Sequence, residues 1–257
     1  VVTDPNITGD IARHHAFYNP LCTPKNKLLL YMVGTINHPA NDLYFTKLAA
    51  NNGYHVISIV YENNTSAKSA CFTENDTTCY ENFHKEVIFG TPVSNAVNVD
   101  SSHSIYNRSI KLLQYLNSNY PSENWGQFYN GNNINWTSVI TAGHSQGSGH
   151  ATYLGHIYPV HRVLMFSGPN EYMDNYNRIA PWFATNNVTS AANYFGFGNI
   201  YDEISFDHQI QVWEKIGLNT FGDSINVMTN NCPYNNRKML YTDSIANGSI
   251  TPNHNST

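Results

Sequence analysis

Residues 139–157 read VITAGHSQGSGHATYLGHI, and the serine at position 145 decides how the rest of the chain is read. Val139 to Ala142 carry a short strand signal, and Gln146 to Ile157 follow at helical composition. A strand that turns at once into a helix brings the residues two before and two after the apex close together, so both must be small. Here they are Gly143 and Gly147. The apex serine is lifted above the sheet edge, and the first amides of the helix favour negative charge beside it. Gly149 lets the helix pack close to the sheet. A bare G-x-S-x-G match arises by chance, but a strand before it and a helix after it are the context of a nucleophile turn.

Outward from this turn, apolar runs alternate with helical patterns. KLLLYMVG (27–34) is a continuous apolar run, the mark of a strand buried on both faces. DLYFTKLAANNG (42–53) spaces Leu43, Leu48 and Ala49 as on a helix and ends in Asn51, Asn52 and Gly53, a stop signal. YHVISIVY (54–61) is a second strand. From Asp100 to Tyr120, Ile105, Ser109, Leu112, Leu113 and Leu116 share one helical face, with Ser101 or Ser102 as cap and Pro121 beyond the end. RVLMFSG (162–168), ANYFGFG (192–198) and RKMLYTD (237–243) read as strands. SFDHQIQVWEKIGL (205–218) reads as an amphipathic helix that buries Ile210, Val212, Trp213 and Ile216. This order predicts one domain over 1–257, of α/β class, with a doubly wound, mostly parallel central sheet flanked by helices.

The 257 residues carry 12% charged side chains, about half the usual share, and a formal net charge of −5. Polarity comes instead from neutral residues, 37 of them Asn, a bias that an AT-rich genome would impose. Without a cluster of Lys and Arg, nucleic acid is not an expected partner. No apolar run reaches the roughly 18 residues of a membrane span. The chain starts at Val1 rather than Met, which fits a removed signal peptide and equally a trimmed chain.

Cys22, Cys71, Cys79 and Cys232 form an even set without a C-x-x-C pair, which argues against zinc. Cys71 and Cys79 flank the polar loop FTENDTT and are expected to pair, leaving Cys22 with Cys232 by elimination. Nine N-x-S/T sequons occur, among them Asn6, Asn75, Asn135 and Asn187, and with the cysteines they favour a secreted glycoprotein.

GHSQG after a hydrophobic strand resembles the nucleophile elbow of the α/β-hydrolase superfamily, and the resemblance runs from the strand at 28 to the C-terminus. Within it the chain is similar to compact, single-domain secreted serine esterases. The resemblance implies a serine, then an acid, then a histidine in chain order. Ser145 is then the nucleophile. The acid is expected after the strand at 192–198, where Asp202 is chosen, with Glu203 and Asp207 as neighbours. The histidine is expected after the last strand, where His254 is the one available. His208 sits on the helix after the acid and would point the wrong way. The oxyanion hole is implied to consist of the Gln146 amide and an amide of the loop GTINHP, taken as Thr35, with Gly34 adjacent and Ile36 as the alternative.

Twelve histidines invite a metal reading, but H-E-x-x-H is absent, and His150 and His156 fall on different faces of their helix. No metal and no cofactor is expected. His144 reads as a satisfied buried polar group. Trp182 reads equally as a substrate contact and as core. The segment between the strands at 162–168 and 192–198 is too short for a large helical lid, so an open site is expected. The resulting expectation is an enzyme that cleaves carboxylic esters, on a small molecule or attached to a polymer, through an acyl-enzyme. The same residues would serve an amidase or peptidase, and an inactive fold used for binding would carry the same pattern. Oligomeric state is not legible.

Overall fold

A computed structural model describes residues 3–8, 13–184, 187–248 and 250–257. Its centre is an eight-stranded sheet. The strands are β1 (His15–Phe17), β2 (Leu28–Met32), β3 (His55–Ile59), β4 (Val139–His144), β5 (Arg162–Phe166), β6 (Tyr194–Asn199), β7 (Ile225–Asn226) and β8 (Met239–Thr242). Across the sheet they lie in the order β1-β3-β2-β4-β5-β6-β8-β7. Only β1 runs antiparallel to its neighbour; every other pairing is parallel. Every residue of β2, β3 and β4 is buried, as strands covered on both faces must be.

Among the described residues six α-helices connect the strands: α1 (Leu43–Asn51), α2 (Ala67–Cys71), α3 (Cys79–Phe89), α4 (Ile105–Asn119), α5 (Gln146–Ile157) and α6 (Phe206–Ile216). α1 covers one face, where Phe45 meets the ring of Phe166 at 4.9 Å. α5 and α6 cover the other, with α3 packed on α5 and α4 on both α3 and β3. The architecture is therefore a mostly parallel, doubly wound α/β sheet.

Three sequence expectations need correction. Ser104, not Ser101 or Ser102, caps α4, its side chain accepting from the Asn107 amide. In α1 the buried positions are Thr46 and Ala50, while Leu48 is 49% exposed, because the helix rests its short residues against the sheet. Cys71 and Cys79 are bonded as expected, but Cys22 and Cys232 are free thiols. The reason is topological. Cys22 follows β1 at one edge of the sheet and Cys232 precedes β8 near the other. At about 4.8 Å per strand spacing the two edges are on the order of 30 Å apart. Cys22 instead donates its thiol to the Asn51 carbonyl.

Candidate active site

β4 ends at His144 and α5 begins at Gln146, so the chain reverses at Ser145 alone. Its backbone sits at φ 54°, ψ −119°, a conformation that costs a non-glycine residue about 1–3 kcal/mol. Neighbours hold it there: its amide donates to the Phe166 carbonyl (2.9 Å), and its own carbonyl accepts from the Ser148 amide (3.0 Å) and hydroxyl (2.5 Å). Both flanking glycines are required by space. A Cβ on Gly143 would stand 2.2 Å from the backbone of Gly147, and one on Gly147 would stand 2.0 Å from the Met32 carbonyl oxygen. Gly149 has a different neighbour from the expected sheet: a Cβ there would meet the side chains of Glu171 and His84.

Ser145 lines a cavity of about 1110 Å³ that is also lined by Thr35, Gln146 and His254. His254 opens a short terminal turn, His254–Ser256, and is only 5% exposed. Its Nδ1 lies 2.8 and 2.9 Å from the two carboxylate oxygens of Asp202. That carboxylate also accepts from the Ile204 amide (2.7 Å) and Gln209 Nε2 (2.7 Å). Burial alone would raise the Asp202 pKa. The hydrogen bond and charge of His254, helped by Ile204 and Gln209, outweigh burial and hold it below its ordinary value. An acceptor pair at Nδ1 fixes the tautomer that leaves Nε2 as a base. Among the described residues neither Ser145 Oγ nor His254 Nε2 makes a hydrogen bond, and both residues line the cavity.

The turn that carries His254 is bound on several sides. Its carbonyl accepts from His144 Nε2 (2.8 Å) and Ser167 Oγ (2.6 Å). Glu203 accepts the Asn253 amide (3.2 Å), Asn253 Nδ2 (2.8 Å) and the His254 amide (2.9 Å). Thus the carboxylate next to Asp202 grips the main chain of the histidine whose ring Asp202 grips. His144 does bury a satisfied polar group, and burial, then the charge of His254, lowers its pKa. Donation to a carbonyl requires a proton on its Nε2. The His208 ring stacks on Tyr172 at 3.9 Å.

On the opposite side of Ser145, residues 34–37 form a loop tied down by Asn63. Asn63 Nδ2 donates to the carbonyls of Gly34 and Asn37 (2.8 Å each), and the Asn63 carbonyl accepts the Ile36 amide (3.0 Å). This commits the Ile36 amide. The Asn37 amide is committed to Gly34 (3.2 Å). The Thr35 amide makes no hydrogen bond among the described residues, and the Gln146 amide, first in α5, lacks a helical acceptor. The two residues also touch: Thr35 Oγ1 donates to Gln146 Oε1 (3.0 Å), which accepts the Ala67 amide as well (2.9 Å).

Of its two readings, Trp182 takes the core one. It is 4% exposed, stacks on Phe183 at 3.8 Å and donates Nε1 to Glu171 Oε2 (2.8 Å). Glu171 and His84, bonded to each other at 2.6 Å, reach the cavity in its stead, and His84 Nδ1 meets His150 Nδ1 at 2.8 Å. Burial, then the charge of His84, holds His150 well below its ordinary pKa. Among the described residues no three His, Cys, Asp or Glu side chains are grouped as metal ligands. The sequence reading also missed Glu203 as a main-chain clamp, Asn63 and the whole of α2. Asn63 begins an N-x-S/T triplet, a pattern that carries no sign of a tie to the 34–37 loop.

No protein-family model matches the chain, and no curated protein matches it. Among solved structures, an acetyl xylan esterase from Aspergillus awamori is similar over 79% of this chain and 74% of its own, with 11% sequence identity and a TM-score of 0.39. A likeness of that degree carries no argument about the site, whose reading rests on the geometry above.

Proposed function

We propose that the protein is a serine hydrolase that cleaves carboxylic esters, formed as one α/β-hydrolase domain and secreted. The observation that carries this reading is the Asp202–His254 pair, which borders the same cavity as a serine held at φ 54°. A serine hydroxyl is a weak nucleophile until a base takes its proton. His254 Nε2 is that base. Ser145 Oγ attacks the ester carbonyl as the proton passes to His254, and Asp202 holds the ring and stabilises the imidazolium. The tetrahedral oxyanion is met by the Thr35 and Gln146 amides, fixed before the reaction begins. His254 then returns the proton to the leaving alcohol. Water, activated by the same ring, releases the acid from the acyl-enzyme.

The bonded pair Cys71–Cys79 supports an oxidising compartment. No helix among the described residues is long and apolar enough to cross a membrane. Between β5 and β6 lie, among the described residues, a two-residue hairpin pairing, Tyr172–Met173 with Arg178–Ile179, and a turn at Pro181–Ala184 with Trp182 and Phe183 buried, short elements that support an open site.

The test is labelling by a fluorophosphonate, together with turnover of p-nitrophenyl esters of graded chain length. Labelling and turnover that both vanish in Ser145→Ala support the proposal. Folded wild-type protein that neither labels nor turns over any ester would favour a binding protein on the same fold.

A further inference from the structure

The cavity beside Ser145 has two dissimilar walls. On the α1 side stand Tyr44, Phe45 and Phe166. On the α2 side stands Lys68, the one Lys or Arg among the described lining residues. An ammonium has three donors. Lys68 Nζ gives one to the Ile204 carbonyl (2.9 Å), a neutral acceptor, and lies 5.6 Å from the centre of the Phe72 ring. No carboxylate forms an ion pair with it among the described residues.

The acidic groups that share the cavity are occupied. Glu171 accepts from His84 and Trp182, and Asp42 accepts from Tyr31 and Asn37. Asp202, whose charge is felt at Lys68, has its oxygens taken by His254, Ile204 and Gln209. Burial lowers the pKa of Lys68 from 10.5, opposed by Asp202. A half-buried cation with a carboxylate charge nearby but none in direct contact is costly unless something else meets it.

The backbone that carries the lysine is held at several points. Ser66 caps α2 through the Ser69 amide, the Ala67 amide is held by Gln146, and the Phe72 carbonyl accepts the Asp174 amide (2.8 Å). The Cys71–Cys79 bond ties the end of α2 to the start of α3. A flexible surface lysine would need none of this.

We infer that Lys68 is a specificity residue of the ester site and receives an anionic oxygen, a carboxylate, carried by the substrate. The inference rests on the proposed ester hydrolysis at Ser145 and names its substrate class: an ester that bears a free acid group, with its apolar part toward Phe45 and Phe166. A substrate carboxylate would supply the charge-assisted partner that the protein withholds.

The experiment compares esters that differ by one carboxyl group. For the acyl side these are p-nitrophenyl hexanoate and the p-nitrophenyl monoester of adipic acid. For the alcohol side they are phenyl acetate and 4-carboxyphenyl acetate. The expected result is a higher kcat/KM for the acidic member of one pair. In Lys68→Met that preference should fall roughly tenfold, equivalent to about 1.4 kcal/mol, and in Lys68→Arg it should largely survive. The ratio is what is read, so any shared loss from disturbing the Ile204 contact cancels. Calorimetric binding of ethyl hexanoate and monoethyl adipate to Ser145→Ala reads the same selectivity without turnover. A ratio that Lys68→Met leaves unchanged, or a wild-type preference for the neutral member of both pairs with no affinity gain for monoethyl adipate, overturns the inference. Either can happen while Ser145-dependent turnover persists, which separates this failure from failure of the hydrolase reading.

Discussion

Asp202 and Glu203 are adjacent in sequence and hold the same residue by different parts: Asp202 takes the ring of His254 at Nδ1, and Glu203 takes its backbone amide. Orientation of the imidazole is thus fixed twice, once through the ring and once through the chain that carries it.

Replacing Asp202 by Asn keeps the shape and removes the charge that selects the tautomer. The expected loss in kcat is roughly 10⁴-fold, with little change in KM. The same variant changes the acid limb of stability. Asp202 is held below 3.8 when folded, so its contribution is fully present above that value and is lost as pH falls through the folded value. Thermal melts from pH 7 to pH 2.5 should show the gap between wild type and Asp202→Asn narrowing below about pH 4.

Glu203→Ala removes three acceptor contacts from Asn253 and His254 without touching the imidazole. Turnover should fall about tenfold or more, a barrier rise of roughly 1.4 kcal/mol, with KM nearly constant. Glu203→Gln, which retains one acceptor oxygen, should recover part of it. Steady-state kinetics on one soluble ester decides this, and equal losses in the two variants would point to charge rather than positioning.

Asn63 is 6% exposed and joins the carbonyls at either end of the 34–37 loop. Removing a preorganised oxyanion donor outright costs about 10²–10³ in kcat. Asn63→Ala loosens one without deleting it, so the fall in kcat should be smaller, on the order of tenfold to a hundredfold. The Asn37 carbonyl, stranded while that of Gly34 keeps the Asn37 amide, should also lower the unfolding free energy by roughly 1–3 kcal/mol. A protein destabilised by that amount with unaltered kcat would separate the loop from catalysis.

Gly147→Ala places a methyl group 2.0 Å from the Met32 carbonyl oxygen, where neither backbone can yield cheaply. The loss of stability should reach about 3 kcal/mol, the upper end of ordinary overpacking. Urea unfolding followed by tryptophan fluorescence measures it, and a change below about 0.5 kcal/mol would contradict the fit described for the turn.

Thiol titration of the unfolded, unreduced protein should find two reactive groups, Cys22 and Cys232. Titration after reduction should find two more. With eight residues of separation, loss of the Cys71–Cys79 bond should cost about 2.5 kcal/mol.

What the sequence made legible had a local cause. The strand at 28–32 and the helix at 146–157 announce themselves through runs long enough to show a period. Ser145 is marked by its own two glycines. Asp202 and His254, which lie in hydrogen-bond contact, are the residues that the resemblance's order of acid after one strand and histidine after the last points to. What stayed hidden was either short or distant. β1 has three residues and β7 two, too few for any pattern. α2 has five, and its place beside Gln146 depends on a contact between positions 79 residues apart. Glu203 and Asn63 act on backbone atoms 50 or so and 26–29 residues away, and a main-chain target leaves no trace in side-chain identity. The pairing of Cys22 with Cys232 failed because counting cysteines is blind to which edge of a sheet each one occupies.

The backbone at position 145 is one that glycine would enter freely and serine enters only under constraint. Ser145→Gly should therefore melt higher than the native protein while losing all turnover. Anyone screening variants of this chain for heat resistance alone would be rewarded at this position for discarding the reaction, so a useful screen must read both properties at once.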